Sequence, residues 1–170
     1  EAVLDALRRW AHAEALPLGA SCYGPDEAIA LRQRHGIALA QVPGNALDQR
    51  LGDGATASAL RGVDVHLRSA FLQGLLLMPA EGAARRVPAA ASALQRWQAW
   101  CGQHALAPLT AALAVVKSFR AVSTVVVGVD SLSQWRAIAD AWQAATPCPA
   151  SELAVDDAAV VDPRRWPKAS

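Results

Sequence analysis

Arg68 and Ser69 set a guanidinium and a hydroxyl side by side at the end of a short alternating stretch, GVDVHLRS. Along it Val63, Val65 and Leu67 fall on one side and Asp64, His66 and Arg68 on the other, the period-two pattern of a strand with an oily back and a polar front. Where a parallel strand gives way to its following loop, α/β folds bind their ligands. The chemistry expected of this pair is therefore binding. Reactive side chains elsewhere are not grouped. His12, His35, His66 and His104 have no short-range spacing that would ligate a metal, although His66 shares the polar front of the strand. Cys22, Cys101 and Cys148 form an odd set without CxxC spacing, which suggests neither a disulfide framework nor a zinc site. One tyrosine, Tyr23, and two lysines, Lys117 and Lys168, could make an acid–base pair only if the fold brought them together, and nothing in the sequence does so.

The elements that position Arg68 and Ser69 are legible on both sides. A helix is expected over 1–15, with Val3, Leu4, Leu7, Trp10 and Ala11 on one face and Asp5, Arg8, Arg9 and His12 on the other. Pro17 bars its continuation. LGASCY (18–23) reads as a buried strand and Asp26 as the cap of a helix over 27–34. IALAQV (37–42) is the next strand, and after a turn and a brief helix comes the strand ending at Arg68. Residues 79–91 read as a Pro/Gly/Ala-rich loop, followed by helices through Leu94–Trp97–Trp100–Cys101–His104 and over 109–119. STVVV (123–127) is the most β-branched run, and a helix passing through Trp135, Ile138 and Trp142 follows Asp130 and Ser131. Strands alternating with helices predict parallel strands covered by helices. Only four strands appear, so a barrel segment would carry two unpaired edges.

The 170 residues are 53% apolar and 18% charged, a composition that excludes a disordered chain and hints that some surface is covered by something else. A net charge of +1 with scattered arginines gives no footprint for nucleic acid. No apolar run nears the roughly 20 residues of a membrane helix, and no signal peptide is seen, so a cytoplasmic setting is expected. The chain begins at Glu1 and its one methionine is Met78, from which a start of translation further upstream is expected.

Three motifs carry a family resemblance. Gln41 to Arg50 reads QVPGNALDQR, Arg68 to Leu77 reads RSAFLQGLLL and Val125 to Ser131 reads VVVGVDS. With the GxSxY-like run from Gly19 to Tyr23, they resemble the bacterial branch of the aldo/keto reductases (QxPxNxLDxR, RSxFLQGLLL, VVVGVxS) in order and spacing. The resemblance implies an α/β fold: the C-terminal half of a (β/α)8 TIM barrel, four parallel strands with covering helices. It places residues 1–146 in the half-barrel, from its fourth to its eighth helix, and 147–170 in a C-terminal tail packing on the barrel. The family's catalytic Asp, Tyr, Lys and His lie on the first four strands, which this chain does not contain.

The resemblance further implies an NADPH or NADH cofactor laid across the mouth. Ser21 and Gln41 would hold the carboxamide, and Arg68 would take the place of the residue on which the nicotinamide stacks. Ser69, Leu72 and Gly74 would line the pyrophosphate path, with Gly128, Ser131 and Gln134 at the adenosine end. Physical chemistry allows each role: Ser and Gln supply the donor and acceptor an amide needs, a guanidinium plane stacks on rings and glycine lets a phosphate approach the backbone. Local alternatives stay open. Gln41 could satisfy a lumen position, Arg68 could pair with Asp64, and Ser69 could bond local backbone. Asp48 and Arg50 read as a charge pair fixing a loop. Cys22 stands where many members have asparagine, and Ala137-Ile138 where many have the Glu-Asn pair that reads adenine. The expected function is the cofactor side of a carbonyl-reducing oxidoreductase, partnered by the missing N-terminal half-barrel in a longer chain or a second chain. The alternative is an inactive half-barrel acting as an assembly module, by self-association.

Overall fold

In the computed structural model, which describes residues 2–167, the elements alternate as expected. They are α1 (Ala2–Ala13), β1 (Gly19–Ser21), α2 (Pro25–His35), β2 (Leu39–Pro43), α3 (Gly54–Ala59), β3 (Asp64–Arg68), α4 (Ala80–Arg86), α5 (Ala91–Gln103), α6 (Pro108–Lys117), β4 (Thr124–Val125), α7 (Leu132–Ala144) and α8 (Ala158–Val161). The strands form one parallel sheet in the order β1-β2-β3-β4. Ala40, Val42, Val65 and Leu67 point into a core shared with Ala28, Leu94, Trp97 and residues 111–116 of α6. Their strand neighbours point the other way. In register, Ser21, Gln41, His66 and Thr124 make one row across this second, open face, and Pro43 and Arg68 the row nearest the strand ends.

Three details differ from the expected elements. Residues 79–91 are not a loop: α4 starts after Pro79 and a 3-10 turn spans Pro88–Ala90. Alanine-rich composition, Glu81 in the first turn, Arg85 and Arg86 in the last, and the fully buried Ala83 suffice for a helix there. Asp26 does not cap α2; Gly24 is its N-cap, with Pro25 at the first turn and Asp26 inside it. The tail, for which no element was expected, contains α8 and 3-10 turns at Ser151–Leu153 and Pro163–Arg165.

The apolar stripe of α1 is real but does not reach the core. Val3, Leu7 and Trp10 are exposed and only Ala11 is buried, and Leu132 and Trp135 of α7, the helix that follows β4, are exposed as well. The tryptophans of α5 do pack inside: Trp97 Nε1 donates to the Leu76 carbonyl (2.9 Å), Trp100 Nε1 to Glu152 Oε1 (2.7 Å), and the rings stack at 5.9 Å. Within the tail Trp166 Nε1 donates to the Val160 carbonyl at 3.1 Å, and its side chain packs partly buried against the core.

The loop after β2 is fixed from within. Asn45 and Asp48 are the buried polar residues of the core, each 1% exposed. Asn45 Oδ1 accepts from the amides of Leu47 (2.9 Å) and Asp48 (3.0 Å), closing an Asx turn. Asp48 holds Arg50 in a two-bond fork at 2.8 and 2.7 Å, so this charge pair does fix the loop. The fork raises the Arg50 pKa. Asn45→Ala strands two buried amides and is expected to cost about 1–3 kcal/mol, read as a lower urea midpoint at unchanged slope. An unchanged midpoint would show that water satisfies the turn.

Candidate functional site

The C-terminal ends of the strands open onto two cavities that share Arg68, Ser69 and Gln73. One, of about 480 Å³, lies between the β1 and β2 ends and the tail, with Tyr23, Pro43, Arg50, Asp162 and Arg164 among its walls. The other, of about 670 Å³, runs from Arg68 past Gly74 to Gly128, Asp130 and Gln134, with Leu77, Leu109, Ala137 and Ile138 as its apolar side. Joined at Arg68, they form a trough across the sheet's mouth.

Arg68 occupies the junction. It does not pair with Asp64: one guanidinium nitrogen donates to the Cys22 carbonyl (3.1 Å) and another approaches Ser69 Oγ at 3.4 Å. Asp64 turns instead to His66, whose Nε2 lies 3.2 Å from Oδ2, and to the Ser123 hydroxyl; those two bonds, Ser123 foremost, hold its carboxyl below the usual range. Arg68 is thus a half-buried cation with no carboxylate partner among the described residues. Such a group favours an anionic or π-rich ligand.

Ser69 starts a loop whose backbone is unusual. Ser69 (φ 64°), Leu72 (φ 47°), Gln73 (φ 53°) and Gly74 (φ 81°) all adopt the left-handed region. Side chains rarely do so, and the loop is held by burial of Leu72, Leu75 and Leu76. Leu72 is fully buried and lines neither cavity, so the fold does not bring it to the trough as expected; it packs beneath the loop instead. At Gly74 the positive φ, not crowding, calls for glycine: an added Cβ would meet nothing within 4 Å.

The remaining expected residues fall into two groups. Gln134 and Gly128 line the larger cavity, and Ser131 caps α7, its Oγ accepting from the Gln134 amide at 3.2 Å while Gln134 Oε1 accepts from the Asp130 amide at 2.8 Å. Ser21 and Gln41 are register partners on the open face, one row below Arg68 and outside both cavity linings. The Gln41 amide makes no protein hydrogen bond among the described residues. Cys22 is fully buried, and its carbonyl rather than its thiol is what it offers the site.

Two features had no clear signal in sequence. The tail returns to the mouth, where Arg164 lies over the Tyr23 ring at 3.7 Å and forks onto Asp162. Only the fold brings Arg164, near the end of the chain, back to Tyr23. Tyr23 and Lys117 do not form an acid–base pair: the Lys117 ammonium donates to the Trp142 and Ala145 carbonyls at the end of α7 and sits 4.3 Å from the Trp142 ring. Lys168 lies outside the described residues. Among the described residues no group of histidine, cysteine, aspartate and glutamate could hold a metal, and no single helix is long and apolar enough to cross a membrane.

No family model matches the sequence, and no curated protein matches it. Solved structures do match. Aldo-keto reductase AKR11C1 from Bacillus halodurans superposes in its apo form with a TM-score of 0.68 at 21% identity, and in its holo form with 0.67 at 22%. Both cover 95% of this chain, which spans 59% and 58% of theirs. At such identity the likeness shows the fold: a parallel α/β half-barrel matching part of an aldo-keto reductase barrel, as the motifs implied.

The thiols give a test of the site's packing. Burial, with Glu27 adding and Arg68 opposing, raises the Cys22 pKa, and burial pushes Cys101 to about 11; Cys148 is half-exposed. At pH 8 a thiol reagent is expected to modify Cys148 quickly and the other two only once urea is added. Two fast thiols in the native protein would contradict this packing.

Proposed function

We propose that this half-barrel is the cofactor-binding side of an aldo/keto reductase-like oxidoreductase that reduces a carbonyl compound with a nicotinamide dinucleotide. The carrying observation is the Arg68 junction: a guanidinium without a carboxylate partner among the described residues at the strand ends, from which the larger cavity runs past Gly74 to Gly128 and Gln134 as an elongated dinucleotide would. Bound there, the cofactor would supply hydride. Arg68 would offer its plane to the nicotinamide, and Ser21 and Gln41 their unspent donors and acceptor to the carboxamide. Ser69 and the backbone at Gly74 would follow the pyrophosphate, with Leu72 buried beneath them. Gly128, Ser131 and Gln134 would flank the adenosine, with Ala137 and Ile138 giving it an apolar rather than a polar wall.

Reduction of a carbonyl also needs a proton donor beside the hydride. We assign that task to the remaining barrel strands, carried by a longer polypeptide or by a second chain. The edge strands β1 and β4 are where such strands would pair, and the exposed Trp10 (57%) of α1 and Trp135 (53%) of α7, the helices before β1 and after β4, are apolar surfaces we assign to the same contact. The same surfaces favour a second reading, in which two copies pair as an inactive assembly module. Sedimentation at tens of micromolar separates them: a stable dimer without cofactor affinity supports the module, and a monomer that binds cofactor supports the first reading.

Calorimetric titration of the purified chain with NADPH and NADH is the direct test. Saturable binding of at least one is expected, weakened about tenfold by Arg68→Ala, the worth of roughly 1–2 kcal/mol for a stacked cation, at unchanged thermal midpoint. No heat at millimolar cofactor, or an R68A variant that binds as well as the parent, would overturn the proposal.

A further inference from the structure

The geometry points to a preference of this chain for the dinucleotide without a 2′-phosphate, NADH, set by Asp130. The inference rests on the cofactor reading above and concerns the far end of the same trough. A 2′-phosphate brings close to two negative charges and needs a cation or several donors to receive it; a ribose diol needs only an acceptor, which a carboxylate supplies. The two cofactors differ nowhere else, so the charge at that end decides between them.

Two charged residues line the larger cavity, Arg68 and Asp130. Arg68 stands at the junction with the smaller cavity, at the end assigned to nicotinamide. The opposite end is walled by Gly128, Asp130, Gln134, Ala137 and Ile138, and of these only Asp130 is charged. Its carboxylate makes neither a salt bridge nor a side-chain hydrogen bond among the described residues, so its charge is not compensated within the site. Gln134, the other polar group there, already spends its amide oxygen on the Asp130 backbone, which holds that carboxylate's residue in place. Arg136 is on the same helix but outside the cavity lining. The α7 N-terminus would attract a phosphate, although Ser131 Oγ takes one of its amides, that of Gln134, the third helical residue. A full negative charge at the rim outweighs the fraction of a positive charge that a helix end offers.

Calorimetry or competition with both dinucleotides reads this directly. The parent chain is expected to bind NADH at least about tenfold more tightly than NADPH, the factor for one charge facing about two at roughly 5 Å under bulk-water screening. Asp130→Ser is expected to bring the two affinities together, mainly by improving NADPH, and Asp130→Lys to reverse the order. Added salt should narrow the parent's difference and leave that of Asp130→Ser unchanged. Asp130 is exposed, so both variants should keep the parent's circular dichroism and thermal midpoint. Equal or tighter NADPH binding by the parent overturns the inference and leaves the cofactor reading standing. So does a parent preference for NADH that Asp130→Ser does not diminish. Failure of both dinucleotides to bind removes the cofactor reading, and this inference with it.

Discussion

A parallel sheet must be covered on both faces, and the rest of this structure follows from the way that requirement is only half met by the described residues. Helices bury Ala40, Val42, Val65 and Leu67 on one face. The other presents Ser21, Gln41, Asp64, His66 and Arg68, a polar set with no packed layer against it. Such a face is a poor core and a good ligand surface. Because all four strands run the same way, their C-terminal ends and the loops that follow lie on one rim, and the two cavities open there.

The rim is kept rigid by apolar burial beneath it. Residues 69–74 hold four left-handed backbone conformations, each of which costs free energy for a side-chain-bearing residue. Leu72, Leu75 and Leu76 under the loop, with Trp97 bonded to the Leu76 carbonyl, offset that cost. The leucines of RSAFLQGLLL are therefore mostly scaffold, while Arg68, Ser69 and the backbone at Gly74 face the trough. The turn at Asn45 and Asp48 does the same for the neighbouring rim, and the Gly44 amide ties it to the Arg68 carbonyl at 3.0 Å. An added Cβ at Gly44 would stand 2.8 Å from Leu67, so the tight seam between the loops depends on glycine.

Strand positions were legible because period-two patterns and Gly/Pro breaks survive in the sequence; each observed strand lies inside or within one residue of its expected run. The helix Ala80–Arg86 was hidden because a short alanine run interrupted by Gly82 and set between Pro79 and Pro88 carries no apolar stripe, and burial of Ala83 alone decides its face. For the site, Arg68 and Ser69 were visible from strand alternation, but whether Arg68 would pair with Asp64 was not. Two residues apart on one strand face is compatible with pairing, and only the position of Ser123 and His66, which occupy both Asp64 oxygens, settles it. The stacking of Arg164 on Tyr23 was invisible for a different reason: no local pattern encodes a contact across that separation.

Amide chemical-shift mapping on the isotope-labelled chain with reduced nicotinamide dinucleotide added tests most directly whether the trough is the cofactor site. The expected result is a continuous band of perturbed amides at 21–23, 41–44, 68–75 and 128–134, with the helix-facing core unmoved. Saturation without movement at 68–75, or perturbation confined to the exposed helix surfaces around Trp10 and Trp135, would contradict it.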